Sequence, residues 1–335
     1  MKPIFRYILV IAALVCVQGA FAKKKDNKPV LVNNIYYQLN EEDGTAIAVS
    51  VRSIKKKVTT YPEHVVFPDT ITYKKRKYVL LKILDDVFVY NKDVKRVTIP
   101  NTLTSSDYQT YNECWGLEEP VYNDTLYAYM SREYTLYHPV YIIPDGIRKI
   151  EDWAFAGVLL HSVVIPNTVT EIGIFAFLNC RELSSVQLPS SIKCINDVAF
   201  GGCHDLKNII IPNSVKSIKQ LAFCNCQLEK IVLGSGLEII DATAFDGNYK
   251  TKYFWGGEAL LDENGQRQYT IREITIYRET PPEVEGQFNM TSNQEEIILY
   301  VPFYSVDKYT NHPEWGKFDV RPIPPVNDIM LTYMR

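Results

Sequence analysis

The feature that most limits how this chain can fold is a repeat in its central part. Residues 165–188, 188–211 and 211–233 read IPNTVTEIGIFAFLNCRELSSVQL, LPSSIKCINDVAFGGCHDLKNIII and IPNSVKSIKQLAFCNCQLEKIVL. The same period places phenylalanines at Phe155, Phe177, Phe200, Phe223 and Phe245. A unit of about 22 or 23 residues cannot bury its own apolar face, so such units must stack on copies of themselves. The repeat therefore predicts a solenoid in which these rings form one ladder inside a continuous core.

Each copy contains two kinds of local pattern. Residues 183–188 (LSSVQL) alternate apolar and polar side chains, which is typical of a strand with one buried face. The proline that follows, Pro189 in this copy, ends the strand because it has no N–H to donate. In the second half, apolar residues stand three apart, as Val169 and Ile172 do, which indicates a turn and a short strand or helical turn on the opposite side. The predicted fold is a β-rich α/β solenoid with coils of about 22–23 residues.

The repeat continues upstream of the central copies. Residues 67–71 (FPDTI) and 99–103 (IPNTL) carry the same proline punctuation. Tyr111 takes the place of a ladder phenylalanine and precedes Phe155 by 44 positions, which is two periods of 22. Residues 101–143 are therefore predicted to form two divergent coils and not a separate domain.

Atypical segments are predicted at both ends of the repeat, since the open ends of a solenoid core must be covered. Residues 35–39 and 45–51 predict a β-hairpin at the N-terminal end. The run YKKRKY at 73–78 predicts an exposed hairpin inserted into the first coil. The predicted organisation is an export signal at 1–22 and one repeat domain at 23–335, made of a hairpin cap at 30–66, repeats at 67–247, and a divergent repeat with a C-terminal cap at 248–335.

The N-terminus has the pattern of a secretory signal peptide. Lys2 and Arg6 precede an apolar stretch at 7–18, and Ala-Phe-Ala at 20–22 is a suitable cleavage site. The apolar stretch is short for a membrane span, which needs about 20 residues. Cleavage after Ala22 removes two positive charges and changes the formal net charge from −3 to −5. We therefore expect an exported protein that is secreted, periplasmic or surface-bound, with no membrane span after cleavage and no affinity for nucleic acid.

Four cysteines recur at one position of the coil: Cys114, Cys180, Cys203 and Cys226. Other coils place Val158 and Asn248 there, so the column is read as a small buried site in which cysteine packs as a hydrophobe. An oxidising compartment permits disulfides between neighbouring coils, and that alternative stays open. Buried free thiols are the favoured interpretation.

No arrangement of residues predicts catalysis, a metal or a cofactor. The sequence has no G-x-S-x-G, no H-E-x-x-H and no phosphate-binding glycine loop. His204 follows Cys203, which suggests either a thiol–imidazole pair or, as we favour, a histidine beside a buried cysteine. We expect a protein that is not an enzyme.

The outward positions of the predicted strands form the first candidate binding surface. The residues two before the proline position in successive coils are Ile142, Val164, Gln187, Ile210 and Val232. Exposed β-branched residues can serve strand geometry alone. They can also form a shallow apolar stripe for a protein partner, since contiguous exposed apolar area marks such sites.

The second candidate surface lies in a tyrosine-rich stretch at 108–141. It includes Tyr122, Tyr127 and Tyr129, whose rings could contact proteins or stack on sugars. The alternative is that these aromatic residues fill the core of divergent coils, as Tyr111 is expected to do. Both interpretations remain open from the sequence.

The unit I-P-x-x-V-x-x-I-G-x-x-A-F-x-x-C-x-x-L-x-x-V at 165–233 resembles the BspA-like leucine-rich repeats of bacterial cell-surface and secreted proteins. The Y-x-x-x-x-Y insertion near the N-terminus and the segments 299–302 and 315–318 resemble the opening and closing segments of that family. The resemblance implies a right-handed superhelix, export, and adhesion to host proteins or other cells. It implies no particular ligand and no catalytic residues.

Together these patterns predict a non-catalytic secreted or surface-exposed protein that binds host or other-cell macromolecules. A protein partner is favoured, and capture of a glycan by the tyrosine-rich stretch is the alternative. The oligomeric state is left open by the sequence.

Overall fold

The computed structural model describes residues 28–49, 61–84, 87–106, 109–112, 114–251, 259–288 and 294–325. The predicted export signal at 1–22 lies outside these residues.

The N-terminal end is a five-stranded sheet with the order β1-β2-β3-β6-β5. Its strands are β1 (Val30–Val32), β2 (Ile35–Asn40), β3 (Thr45–Val49), β5 (Thr70–Tyr73) and β6 (Arg76–Ile83). The predicted hairpin is present as β2 and β3, which pair antiparallel. The basic run also forms a hairpin, β5 and β6, but β6 pairs with β3 in parallel. The inserted hairpin is therefore part of the N-terminal sheet, because its backbone completes the edge that β3 leaves open.

One side of the repeat region carries a strand in each successive coil. These strands are β4 (His64–Val66), β7 (Arg96–Thr98), β8 (Val121–Tyr122), β10 (Val140–Ile142), β12 (Ser162–Val164), β14 (Ser185–Gln187), β16 (Asn208–Ile211), β18 (Lys230–Leu233), β20 (Glu273–Ile276), β22 (Ile298–Val301) and β23 (Asp319–Pro322). They pair in parallel as β4-β7, β10-β12-β14 and β16-β18-β20-β22-β23. Strand β8 lies next to β7 on this side, but its hydrogen-bonded partner is β9 (Leu126–Tyr129) of the opposite set, with which it pairs antiparallel. The last strand, β23, ends at Pro322 and is followed by Pro324 and Pro325.

The opposite side carries a second, shorter set of strands. They are β9 (Leu126–Tyr129), β11 (Lys149–Ile150), β13 (Glu171–Ile172), β15 (Cys194–Ile195), β17 (Ser217–Ile218), β19 (Ile239–Asp241) and β21 (Glu283–Glu285). They pair as β13-β11-β9-β8 and β15-β17-β19-β21. Helices are short: α1 (Gln109–Asn112), α2 (Arg132–Tyr137) and α3 (Val306–Thr310), with 3-10 turns at Gln294–Glu296, Phe303–Ser305 and Trp315–Lys317. This succession of parallel strands is a repeat solenoid, as predicted.

The core contains the predicted phenylalanine ladder. Phe155, Phe177, Phe200, Phe223 and Phe245 are buried, and adjacent rings stack with centroids 4.7, 5.0, 5.4 and 5.5 Å apart. Burial of one such ring contributes about 1.5–3 kcal/mol relative to leaving it exposed. Because each ring lies between rings of the neighbouring coils, this stabilisation exists only in the stacked array.

The cysteine column is buried and reduced. All six cysteines of the described residues are free, and those at positions 114, 180, 203 and 226 are buried. The thiols of Cys180, Cys203 and Cys226 each donate a hydrogen bond to the carbonyl oxygen of the ladder phenylalanine one coil earlier, at 3.0, 3.3 and 3.0 Å. The interpretation of these residues as buried free thiols is confirmed.

Asn248, in the next coil, also donates hydrogen bonds to buried backbone carbonyl oxygens. Its Nδ2 donates to the carbonyl oxygens of Phe223 at 2.9 Å and Phe245 at 2.7 Å, and its Oδ1 accepts from the Leu228 N–H at 2.8 Å. In these four coils the position holds a small side chain that donates to a buried carbonyl oxygen, which avoids the cost of leaving that backbone group unpaired.

Candidate binding surfaces

The strand face is the outward surface of the strands that line one side of the repeat region. Parallel pairing places Ile142 beside Val164, and Val164 beside Gln187. A second row places Ile210 beside Val232. These adjacencies follow from the stacking of coils that the sequence predicts, and the two rows belong to separate sheets because β14 and β16 are not paired.

The isoleucines are the most exposed members of these rows. Ile142 is 69% exposed and Ile210 is 65% exposed, whereas Val164 and Val232 are half-buried beside them. Gln187 is exposed. The two isoleucines therefore present most of the apolar area that a partner could contact.

Further exposed apolar residues stand shortly before Ile142 in the chain, and they are not among the residues predicted for the strand face. Val140 is on the same face of β10, and Leu136 and Tyr137 end helix α2 just before it. Tyr137 is 74% exposed. The signal available in the sequence was the alternation V-Y-I at 140–142, which places residues 140 and 142 on one face with Tyr141 buried between them.

The C-terminal part of the strand face is more polar. Lys230 and Glu273 are neighbours on β18 and β20, and their charged atoms lie 3.3 Å apart. Thr275 and Tyr300 continue the row that begins at Ile210. The strand face is thus apolar at β10 and polar towards β22.

The tyrosine-rich candidates occupy different environments. Tyr127 is fully buried and stacks on Phe155 with centroids 4.7 Å apart, so it extends the phenylalanine ladder by one coil. Tyr129 is also buried, and its ring centroid lies 6.0 Å from that of Tyr111. The prediction that Tyr127 and Tyr129 lie on a binding surface is wrong, because their rings fill core space in a divergent coil. Tyr122 is 41% exposed and stacks on Tyr127 at 5.5 Å.

Burial also fixes the ionisation of this cluster. Desolvation raises the pKa of the Tyr127 hydroxyl well above its usual value and raises the pKa of Tyr141 to about 12. Both hydroxyls are therefore neutral at physiological pH. The cluster supplies packing and hydrogen bonds, not charge.

A second group of exposed aromatic side chains lies on another part of the surface. The ring centroids of Tyr90 and Trp115 are 4.9 Å apart, and the Lys92 ammonium lies 5.5 Å from the Trp115 ring. Trp115 belongs to the aromatic stretch noted in the sequence, but Tyr90 lies outside it. We call Tyr90 and Trp115 the aromatic pair.

Cys203 and His204 do not form the thiol–imidazole pair that their sequence positions suggest. Burial raises the pKa of the Cys203 thiol well above its usual value, and its hydrogen bond goes to the Phe177 carbonyl oxygen. His204 is buried, which lowers the pKa of its imidazole. The neighbouring pair is thus a neutral thiol and a neutral imidazole, without a hydrogen bond between them among those found.

Among the described residues, no group of three or more histidine, cysteine, aspartate or glutamate side chains is placed to hold a metal ion. Within the same residues, no helix has the length and apolar character needed to span a bilayer.

The repeat matches the model of one known protein family. The model of the BspA type leucine rich repeat region matches residues 53–135 and 134–252, with six copies. No curated protein gives a significant match.

Several solved structures are similar to this chain. A leucine rich cell surface protein from Faecalibacterium prausnitzii is 18% identical, covers 67% of this chain and 93% of its own, and has a TM-score of 0.38. A leucine-rich repeat protein from Bacteroides ovatus is 19% identical, covers 81% of this chain and 70% of its own, and has a TM-score of 0.45. The leucine rich repeat protein of T. pallidum is 22% identical, covers 59% of this chain and 89% of its own, and has a TM-score of 0.43.

Proposed function

Since this chain belongs to the BspA-type leucine-rich repeat family, we propose that it is an exported, non-catalytic binding protein whose strand face contacts a protein on a host or neighbouring cell. The observation that carries the proposal is the exposure of Ile142 and Ile210 on a face built from paired strands. Val140, on the same face of β10 as Ile142, extends this apolar area at one end.

The chemistry of this face favours a protein partner. Contiguous exposed apolar area often marks protein interaction sites, and it is rare elsewhere on soluble proteins. The isoleucines stand on strands held by backbone hydrogen bonds, so little conformational entropy is lost when they are covered. The polar rim at Lys230 and Glu273 matches the anatomy of interfaces, where charged groups surround an apolar centre.

The location and the remaining architecture belong to the same proposal. The basic start, apolar stretch and small-residue site at 1–22 support export and cleavage after Ala22. We take 23–335 as one domain, wound as a right-handed superhelix of 22–23-residue coils with atypical segments at 30–66 and 248–335. The family match supports a surface or secreted location for the mature chain.

The test uses charge substitutions on exposed side chains. Ile142→Glu, Val164→Glu and Ile210→Glu should each abolish binding to those extracellular-matrix or plasma proteins on an immobilised array that the unaltered chain captures. Leu261→Glu changes an exposed leucine outside the strand face and is the matched control. Circular dichroism establishes that all four variants are folded. Undiminished capture by the three strand-face variants would exclude this face.

A further inference from the structure

We infer that Tyr90, Trp115 and Lys92 form a carbohydrate-binding site that is separate from the strand face. Tyr90 is 51% exposed and Trp115 is 60% exposed, and their rings lie side by side with centroids 4.9 Å apart. The Lys92 ammonium, 5.5 Å from the indole, adds a cation with three N–H donors.

The backbone at Tyr90 is the first argument for a function. Tyr90 stands two residues after Phe88 and has φ of 59°, in the left-handed region. The residues two after the five ladder phenylalanines are Gly157, Asn179, Gly202, Asn225 and Gly247, and all of them have positive φ. Five coils thus fill this position with the two residue types that best tolerate the left-handed conformation. The coil of Tyr90 instead carries a residue that the conformation disfavours.

Burial does not explain the left-handed backbone at Tyr90 as it does at two other large residues. Phe175 and Val198 are also left-handed, but both are buried in an outer apolar cluster that includes Cys224. The Tyr90 ring is half exposed, and its ring partner Trp115 is more exposed still. Lys74 and Lys75 are also left-handed, but they form the tight turn between β5 and β6, whereas Tyr90 lies in no hairpin. Strained backbone clusters at binding and active sites.

The loop beneath the aromatic pair holds the two rings in place. The side-chain oxygen of Asn91 accepts hydrogen bonds from the N–H groups of Asp93 at 2.9 Å and Val94 at 2.8 Å. The Gly116 N–H donates to the Asn91 carbonyl oxygen at 3.0 Å, which ties the two coils together. A Cβ at Gly116 would lie 2.4 Å from the Lys92 carbonyl oxygen, so only glycine permits this approach. The spacing of the rings is therefore built into the backbone.

The chemistry of the site fits a sugar better than a protein. A sugar ring has an apolar C–H face that stacks on an aromatic face, and hydroxyl groups at its edge that accept from an ammonium. Protein interfaces bury about 800 Å² per partner, with charged residues depleted at their centre. The aromatic pair instead stands among charged residues in the chain: Lys92 and Asp93 are exposed, and Lys95 and Glu118 form an ion pair.

The experiment compares the full mature chain with three variants on an array of neutral and sialylated oligosaccharides. The unaltered chain should bind a subset of them, and Trp115→Ala and Tyr90→Asn should each weaken that binding about tenfold or more, as loss of an aromatic anchor does. Titration of the strongest oligosaccharide, followed by tryptophan fluorescence, gives the affinities. Ile210→Glu on the strand face is the control and should bind the sugar normally, whatever it does to protein capture.

Thermal unfolding separates this site from a structural role for Tyr90. Asparagine suits the left-handed backbone, so Tyr90→Asn should melt at or above the temperature of the unaltered chain while it loses the sugar. The proposal is overturned if no oligosaccharide binds, or if binding survives both substitutions in the aromatic pair. A clear fall in melting temperature for Tyr90→Asn would also overturn it, because the ring would then be structural. Loss of a captured protein by Trp115→Ala, without any sugar binding, would assign the site to a protein partner instead.

Discussion

The regular coils at 144–247 and the divergent coils at 87–143 solve the same packing problem with different residues. In the regular coils, identical phenylalanines stack in one ladder, and glycine or asparagine fills the left-handed position two residues later. In the divergent coils, Tyr127 continues the ladder, Tyr90 fills the left-handed position, and helix α2 replaces part of a coil.

The difference teaches where this molecule tolerates change. Each regular coil must fit two nearly identical neighbours, so a new residue type in one column disturbs the contacts on both sides. The divergent coils have unlike neighbours and can present Trp115, Tyr122 and Tyr137 to solvent. Both proposed binding regions include exposed residues from this part of the chain, whereas the regular coils mainly hold the core together.

The largest effect that tests this comparison is expected from Phe200→Ala. The Phe200 ring stacks between Phe177 at 5.0 Å and Phe223 at 5.4 Å, so its removal leaves a cavity inside the ladder. We expect a loss of about 3–5 kcal/mol in the free energy of unfolding, measured by urea denaturation. Tyr122→Ala in the divergent coils, where the ring is half exposed, should cost less than half as much. Equal losses would mean that the ladder is not the main source of stability.

Asn248→Ala tests the column of side chains that donate to buried carbonyls. It leaves two carbonyl oxygens and the Leu228 N–H without their partner, so we expect a loss of about 3 kcal/mol in the free energy of unfolding. Asn91 occupies the equivalent position in a divergent coil, but its side chain accepts only within its own loop. Asn91→Ala should cost about 1 kcal/mol. A larger loss of stability for Asn91→Ala than for Asn248→Ala would contradict the assignment of Asn248 as the structural counterpart of the thiols.

A smaller effect is expected from Asp246→Asn, and it should depend on pH. Burial, with a contribution from Asp241, raises the pKa of the Asp246 carboxyl group to about 6 from its usual value near 3.8. The folded state therefore binds this proton more tightly than the unfolded state, so stability falls as pH rises from about 4 through about 6. Asp246→Asn should raise the melting temperature at pH 7.5, and the difference should vanish near pH 4. Glu279→Gln, at an exposed position, is the control; a gain for Asp246→Asn that is the same at both pH values would refute the assignment.

The smallest expected change is chemical and leaves stability untouched. Burial raises the pKa of Cys180 to about 12, so this thiol should not react with iodoacetamide at pH 8 in the folded protein. Cys194 is only partly buried and should be alkylated first. Peptide mass spectrometry reads the order of labelling, and the buried thiols should react only after denaturation. Early labelling of Cys180 would show that the regular coils open locally.

The periodic part of this fold was predictable because a period constrains every copy at once. The ladder from Phe155 to Phe245 and the buried Cys180 follow from columns that recur in the sequence. The burial of Tyr127 and the exposure of Tyr122 were not predictable. A divergent coil has no recurring column that shows which ring faces the core. The same holds for the basic hairpin at 73–78, whose pairing with β3 depends on an edge far from it in sequence.

Exposure of the candidate surfaces was predictable only in part. Alternation along a strand places Ile142 and Ile210 outward, and the structure shows both exposed. The aromatic pair joins Tyr90 to Trp115 across two coils, and the sequence places these residues 25 positions apart in a region of irregular period. Its one sequence signal is the tyrosine at a position that other coils give to glycine or asparagine.

Strand β23, the last strand of the described residues, has a consequence for contacts between copies of the protein. A parallel ladder of strands ends in a free row of backbone groups, on which another chain could add a strand and begin a fibre. Pro322 in β23 has no N–H, and Pro324 and Pro325 follow, so an incoming strand would find fewer donors on this edge. Addition of another copy at this edge is therefore disfavoured.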